Sequence, residues 1–138
     1  MTTLSFTRTV AVPPHDAFDA WVDPGRLATW WWPHLSDTTY AVDAREGGTL
    51  AIESPTAGIG VRGEFLAVEP ASLLRFTWNW VNDGEVAATT GGDVVEVRFA
   101  AVDNGTEVTV EHTSDEHVTG GGAEQGWNDV LDRYAAIS

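Results

Sequence analysis

The chain has 138 residues, 43% of them hydrophobic and 20% charged, which suits one globular domain spanning 1–138 and argues against disorder. Its formal net charge is -14 and every basic side chain is an arginine, so neither nucleic acid nor an anionic membrane surface is an expected partner. With no cysteine there are no disulfides, thiol nucleophiles or thiolate-bound metals, and the start MTTLSFTRTVAV lacks the basic and apolar regions of a signal peptide, so a cytoplasmic protein is expected.

The first segment alternates: Leu4, Phe6, Val10 and Val12 share one parity and Ser5, Thr7 and Thr9 the other, which predicts a half-buried strand with Arg8 on its apolar side. VPPHDAFDAWVDP reads as a short helix, with Pro14 in the first turn and Phe18, Trp21 and Val22 at i, i+3, i+4. Asp23 then caps a second helix that starts at Pro24 and carries Leu27, Trp30 and Trp31. Trp32 precedes Pro33, whose ring drives it out of helical geometry onto an extended exit. Three consecutive indoles on a helix would spread over roughly 200°, wider than one packed face, so the sequence raises the question of what takes the third.

SDTTYAVDAREGG reads as a connector, after which strands alternate with turn chemistry: TLAIES, GVRGEFLAVEP, LLRFTWNW, VVEVRFAAV and TEVTVEHT. VNDGEVAATTGGD is long and glycine-rich and is expected to form a mobile loop at one end of the sheet. Leu74, Phe76, Trp78 and Trp80 share a face, as do Val95, Val97 and Phe99, and likewise Val108, Val110 and His112. Arg75, Glu96, Arg98 and Glu111 occupy the opposite parity, a solvated face with cross-strand charge pairs. AEQGWNDVLDRYAAIS is helical, with Trp127, Val130, Leu131 and Tyr134 at i, i+3, i+4, i+7, and the preceding Gly120-Gly121-Gly122 is a poor helix interior. The class is α+β: a curved antiparallel sheet of about seven strands, two short helices after the first strand, and a C-terminal helix covering the apolar face.

Several stretches, taken in order, resemble the START-like (SRPBCC) superfamily with its helix-grip fold. These are Arg8, AFDAWVDPGRLATWW, REGG at 45–48, GEFLAVEPASLLRFTW at 63–78, GTEVTVEHT at 105–113 and Gly126-Trp127. The branch they resemble most is the homologues of the activator of the heat-shock-protein-90 ATPase. The resemblance implies a sheet gripping the last helix over a hydrophobic cavity, while function varies widely within such a fold. Members often carry a histidine shortly before the Gly-Trp pair, where this chain has GGGAEQGW.

The candidate cavity residues are Trp30, Trp32, Phe65, Trp78, Trp80, Phe99 and Trp127, with Trp31 beside them, for an apolar or aromatic guest; ordinary core packing is the competing reading. Arg8 on an apolar parity is either one half of a structural ion pair, the favoured reading, or an anchor for a ligand's acid group. His112 ends an inward parity and serves either as a hydrogen-bonded core residue or as an acid/base in the cavity. No histidine spacing matches a metal motif, no catalytic carboxylate pair stands out among 21 acids, and no nucleophile elbow, phosphate loop or cofactor lysine is present. The expected function is binding of a small hydrophobic molecule by a monomer or homodimer without cofactor or metal. Alternatives are a cyclase or dehydratase using His112, and a chaperone-ATPase cofactor role suggested by the family's name.

Overall fold

The structure is a computed structural model that describes residues 2–82, 85–86, 93–114 and 121–137, with only the backbone described at residues 2, 82, 85–86, 114 and 121–124. Its elements in chain order are β1 (Thr2–Val10), α1 (Pro14–Val22), α2 (Pro24–Leu27), β2 (Thr39–Val42), β3 (Thr49–Ser54), β4 (Ile59–Glu69), β5 (Leu73–Thr77), β6 (Asn79–Asn82), β7 (Glu85–Val86), β8 (Val94–Val102), β9 (Gly105–Ser114) and α3 (Gly121–Tyr134). The strands form one open antiparallel sheet in the order β1-β9-β8-β5-β4-β3-β2, with β6 paired to β4 and β7 to β6. This is the expected α+β architecture. Most of the segment anticipated as a mobile loop, 83–84 and 87–92, lies outside the described residues.

Three local expectations are corrected. LLRFTWNW is two strands rather than one, broken at Trp78. The cause lies on the neighbouring strand: a Cβ at Gly63 would sit 2.0 Å from the Thr77 carbonyl oxygen, so only glycine lets the two backbones approach there. Thr77 Oγ1 accepts from the Glu64 N–H at 2.8 Å, and the Trp78 N–H leaves the ladder to donate to the Asp93 carbonyl at 3.0 Å. β4 therefore pairs with β5 along Phe65–Glu69 and with β6 along Ile59–Arg62, and the sheet bends between. Next, the presumed connector contains β2, four residues whose partial burial left only a weak apolar alternation. Last, α2 ends at Leu27, so the three tryptophans follow the helix instead of riding on it.

α1 and α3 pack on the apolar face of the sheet, α1 against β8 and β9 and α3 against β1. α1 begins with Pro14 in its first turn and buries Ala17, Phe18, Ala20 and Trp21. Asp23 caps α2, its Oδ1 accepting from the Gly25 N–H at 2.9 Å. α3 buries Trp127, Val130, Leu131 and Tyr134, one stripe at helical spacing. On the opposite, solvent-exposed face Arg75 pairs with Glu96 directly across β5 and β8, Arg98 reaches Glu96 at 2.9 Å, and Arg98 also meets Glu111 on β9. These exposed pairs set polarity more than stability.

Candidate ligand site in the aromatic core

The tryptophan run answers the question that its sequence raised: the core holds all three. Trp30, Trp31 and Trp32 are 0%, 2% and 9% exposed. Trp32 makes this possible by adopting φ 53°, the left-handed region, which reverses the chain before Pro33 and returns the third indole to the interior. That backbone costs about 1–2 kcal/mol, which burial of so large a side chain offsets. The backbone of the run is tied on both sides. Arg133 Nε donates to the Trp30 carbonyl at 3.0 Å, and the Tyr40 hydroxyl donates to the Trp31 carbonyl. Trp30 Nε1 donates to the Ala20 carbonyl at 3.0 Å. Trp31 is the hub, with ring centroids of Trp21, Trp30, Trp32, Trp78 and Trp127 all within 6.2 Å.

Beside this cluster His112 bridges the sheet and α3. Trp127 Nε1 donates to His112 Nδ1 at 3.0 Å, and His112 Nε2 lies 2.9 Å from Asp93 Oδ2. An indole N–H can only donate, so Nδ1 is the acceptor and Nε2 carries the proton toward the carboxylate. The histidine is thus held as one neutral tautomer, oriented by Asp93 and covered by Trp127, with both partners and itself buried. Asp93 precedes β8, and its carbonyl takes the Trp78 N–H, so the sheet's bend and the His112 network share one residue. Trp78 packs its ring 5.2 Å from His112 and 5.0 Å from Trp127.

Between sheet and helices a void of about 10 Å³ remains, lined by Trp21, Leu27 and Trp31 from the helical side and by Leu50, Ile52, Phe65, Leu74 and Phe76 from the sheet. That is space for about one water molecule. The REGG turn positions one wall, because the Gly47 N–H donates to the Phe65 carbonyl and the Phe65 N–H to the Gly48 carbonyl, at 2.9 and 2.8 Å. Among the described residues, indoles occupy much of the space between sheet and helices where the family resemblance implies a hydrophobic cavity. Two of the indoles lining the void are themselves underserved: Trp21 Nε1 and Trp31 Nε1 are buried without a well-formed hydrogen bond among the described residues. The Trp21 N–H does lie against the Tyr134 hydroxyl, a contact that slightly favours the phenolate, whereas burial pushes the Tyr134 phenol well above its ordinary pKa.

Of the residues singled out from sequence, Phe65 lines the void, and Trp30, Trp32, Trp78 and Trp127 belong to the surrounding aromatic cluster. Trp80 is half-buried against Trp32, with centroids 6.1 Å apart. Phe99 packs edge-on against Phe18 at 5.6 Å and is not among the void-lining residues. Arg8 faces α3: Nε donates to Asp132 Oδ1 at 3.1 Å and Nη2 to Asn128 Oδ1 at 2.7 Å, a clasp between β1 and the last helix. Sequence reasoning left out Trp21 and Asp93. Trp21 was visible as an apolar helix position, but nothing distinguished it from plain packing, and Asp93 sat unmarked in a glycine-rich turn.

Outside the core, His15, Asp16 and Asp19 bring ligand atoms within 4.8 Å of one another on the solvent side of α1, as neighbouring residues one turn apart commonly do. Two open surface grooves of about 380 and 440 Å³ flank α1–α2 and β2–β3–β6, and Arg26 in the first is engaged by Asp16 and Asp23. No helix among the described residues is long and apolar enough to cross a membrane.

The fold recurs in solved structures. Protein Ms6760 from Mycobacterium smegmatis superposes with a TM-score of 0.81 at 20% identity, over 97% of this chain and 88% of that one. CalU16 from Micromonospora echinospora gives 0.71 at 23% identity, over 97% and 76%. The AHSA1-like protein from Aeromonas hydrophila gives 0.72 at 23% identity, over 97% and 90%. No curated protein matches the sequence. The architecture is compatible with a ligand-binding cavity. Residues 11–138 match the family described as activator of Hsp90 ATPase homolog 1-like protein, and the chain belongs to that family, within the START-like (SRPBCC) superfamily.

Proposed function

We propose that this domain binds a small hydrophobic or aromatic molecule between its sheet and the helical layer that covers it, at a void walled by α1, α2 and the tryptophan turn rather than by α3. The observation that carries the proposal is the void enclosed where the bend of the sheet faces α1 and the tryptophan turn, with walls of indole, phenyl and aliphatic groups. A guest larger than water makes its space by displacing aromatic side chains, so association is slow and perturbs several indoles together. Poor helix propensity at Gly121 and Gly122, in the first turn of α3, lowers the cost of rearranging the helix end nearest Trp127. A panel of lipophilic compounds should raise the melting temperature and alter tryptophan fluorescence for at least one scaffold. A chemically broad panel that does neither would end the proposal.

One observation favours a second reading, an enzyme of the cyclase or dehydratase kind. Asp93 and His112 form a buried carboxylate–imidazole pair in the arrangement that orients a general base. For His112 Nδ1 to take a substrate proton, the Trp127 N–H must first leave it. Turnover of a bound compound that disappears in His112→Gln while binding persists would support the enzyme; equal loss of both would favour binding alone.

A further inference from the structure

We infer that the guest of this core is an apolar compound carrying a hydrogen-bond acceptor, a carbonyl or ether oxygen, and that the Trp31 indole N–H is the group selecting it. The inference rests on the binding reading above and adds the polar feature that the ligand must have.

A purely hydrocarbon-binding core has no use for buried donors, and each one left without an acceptor costs roughly 1–3 kcal/mol. Natural cores therefore pair them, as this one does elsewhere: Trp30 has the Ala20 carbonyl and Trp127 has His112 Nδ1. Trp31 is 2% exposed, sits at the centre of the aromatic cluster, lines the void, and has no acceptor among the described residues. Trp21, 4% exposed, lines the same void, and its N–H lies against the Tyr134 hydroxyl without forming a well-made hydrogen bond, while that hydroxyl donates to the Ala17 carbonyl at 2.8 Å. The other residues lining the void, Leu27, Leu50, Ile52, Phe65, Leu74 and Phe76, have no polar side-chain atom to act as an acceptor. Arg8 does not compete for this role, since its guanidinium is already held by Asp132, Asn128 and the Thr7 carbonyl.

Charge does not define the ligand. A carboxylate would enter without a cation to meet it, because the void is bordered by no arginine or histidine. A neutral carbonyl or ether oxygen accepts one or two indole bonds and brings no charge to desolvate. The class is thus a compact, neutral, mostly apolar molecule with a single acceptor atom.

The test compares indane with 1-indanone, which share a skeleton and differ by one carbonyl. Dissociation constants are measured by tryptophan fluorescence for the wild-type protein and for Trp31→Phe. The expected result is that the ketone-to-hydrocarbon affinity ratio falls about tenfold in the variant, the fold-change for one hydrogen bond of ordinary strength. In the wild-type protein the Trp31 indole N–H resonance should shift downfield with 1-indanone and not with indane; this reading stands even where the variant fails to fold. Binding of both compounds with an unchanged ratio and no shift overturns the inference while leaving apolar binding intact, and points to indole N–H groups resting on neighbouring rings or on a water. Binding of neither overturns it, and the broad panel described above then decides separately whether the binding function stands.

Discussion

Tyr134 offers the sharpest measurement of how dry this core is. Its side chain is fully buried, its hydroxyl donates to the Ala17 carbonyl, and burial raises its pKa well above the ordinary 10.0, with the Trp21 contact as a smaller opposing effect. The sign follows from proton linkage. Above pH 10 the unfolded chain releases its tyrosine protons while the folded chain keeps this one, so the native state binds more protons and stability falls as pH rises. The contribution is fully present below the unfolded value and is lost above it. At about pH 11 the loss amounts to RT ln 11, about 1.4 kcal/mol for one group. The chain has no lysine and no cysteine, so tyrosine is its only side-chain class that ordinarily titrates in this window. Tyr40, its partly exposed companion, is also raised by burial and acts in the same direction more weakly. Urea unfolding followed by tryptophan fluorescence at neutral pH and near pH 11 should show Tyr134→Phe losing about 1 kcal/mol at neutrality, the price of one hydrogen bond. The variant should then suffer clearly less of the alkaline loss than the wild type, keeping only the smaller share due to Tyr40. An alkaline loss identical in both proteins would show that Tyr134 ionises as readily folded as unfolded, and the packed core described above would be wrong.

Trp127→Phe leaves His112 Nδ1 buried without its donor and should cost about 2–4 kcal/mol. A double-mutant cycle with His112→Phe should show a coupling of about 1 kcal/mol or more, and additivity within about 0.5 kcal/mol would deny the contact its energetic weight. Ala71 holds φ 61° in the turn between β4 and β5, so Ala71→Gly removes left-handed strain, offset in part by chain entropy. It should stabilise by about 0.5 kcal/mol, and a lowered melting temperature would refute this. Asp37 accepts from the Thr56 N–H at 2.7 Å and Ser54 Oγ at 2.9 Å, and these bonds, Thr56 foremost, hold its pKa below the ordinary 3.8. Its stabilisation is present above that value and disappears as pH falls through the lowered one, so Asp37→Asn should flatten the acid limb of a stability–pH profile. An unchanged acid limb would count against the bond pair.

The inward parity of β8 and β9 was legible because sheet side chains alternate with period two. Val95, Val97, Phe99, Val108, Val110 and His112 needed no partner to declare their face. The stripe of α3, Pro14 in the first turn of α1 and the Asp23 cap of α2 were equally local matters of helical spacing and backbone chemistry. The indole run shows where such reasoning stops. A helical reading gave Trp32 no place, yet a single left-handed residue folds it back among its neighbours, and only the surrounding core makes that conformation worth its cost. Asp93 is similar: its role depends on strands β8 and β9 lying side by side and on α3 bringing Trp127 across them. By itself the sequence determined fold class, the apolar faces and the supply of aromatic residues, because these follow from periodicity and composition along the chain. Tertiary structure alone decided that the indoles would gather in one core and that Trp31 would line a small void there with its N–H unserved among the described residues. Hydrogen-bond satisfaction and residual volume arise between elements distant in sequence, and no local pattern records them.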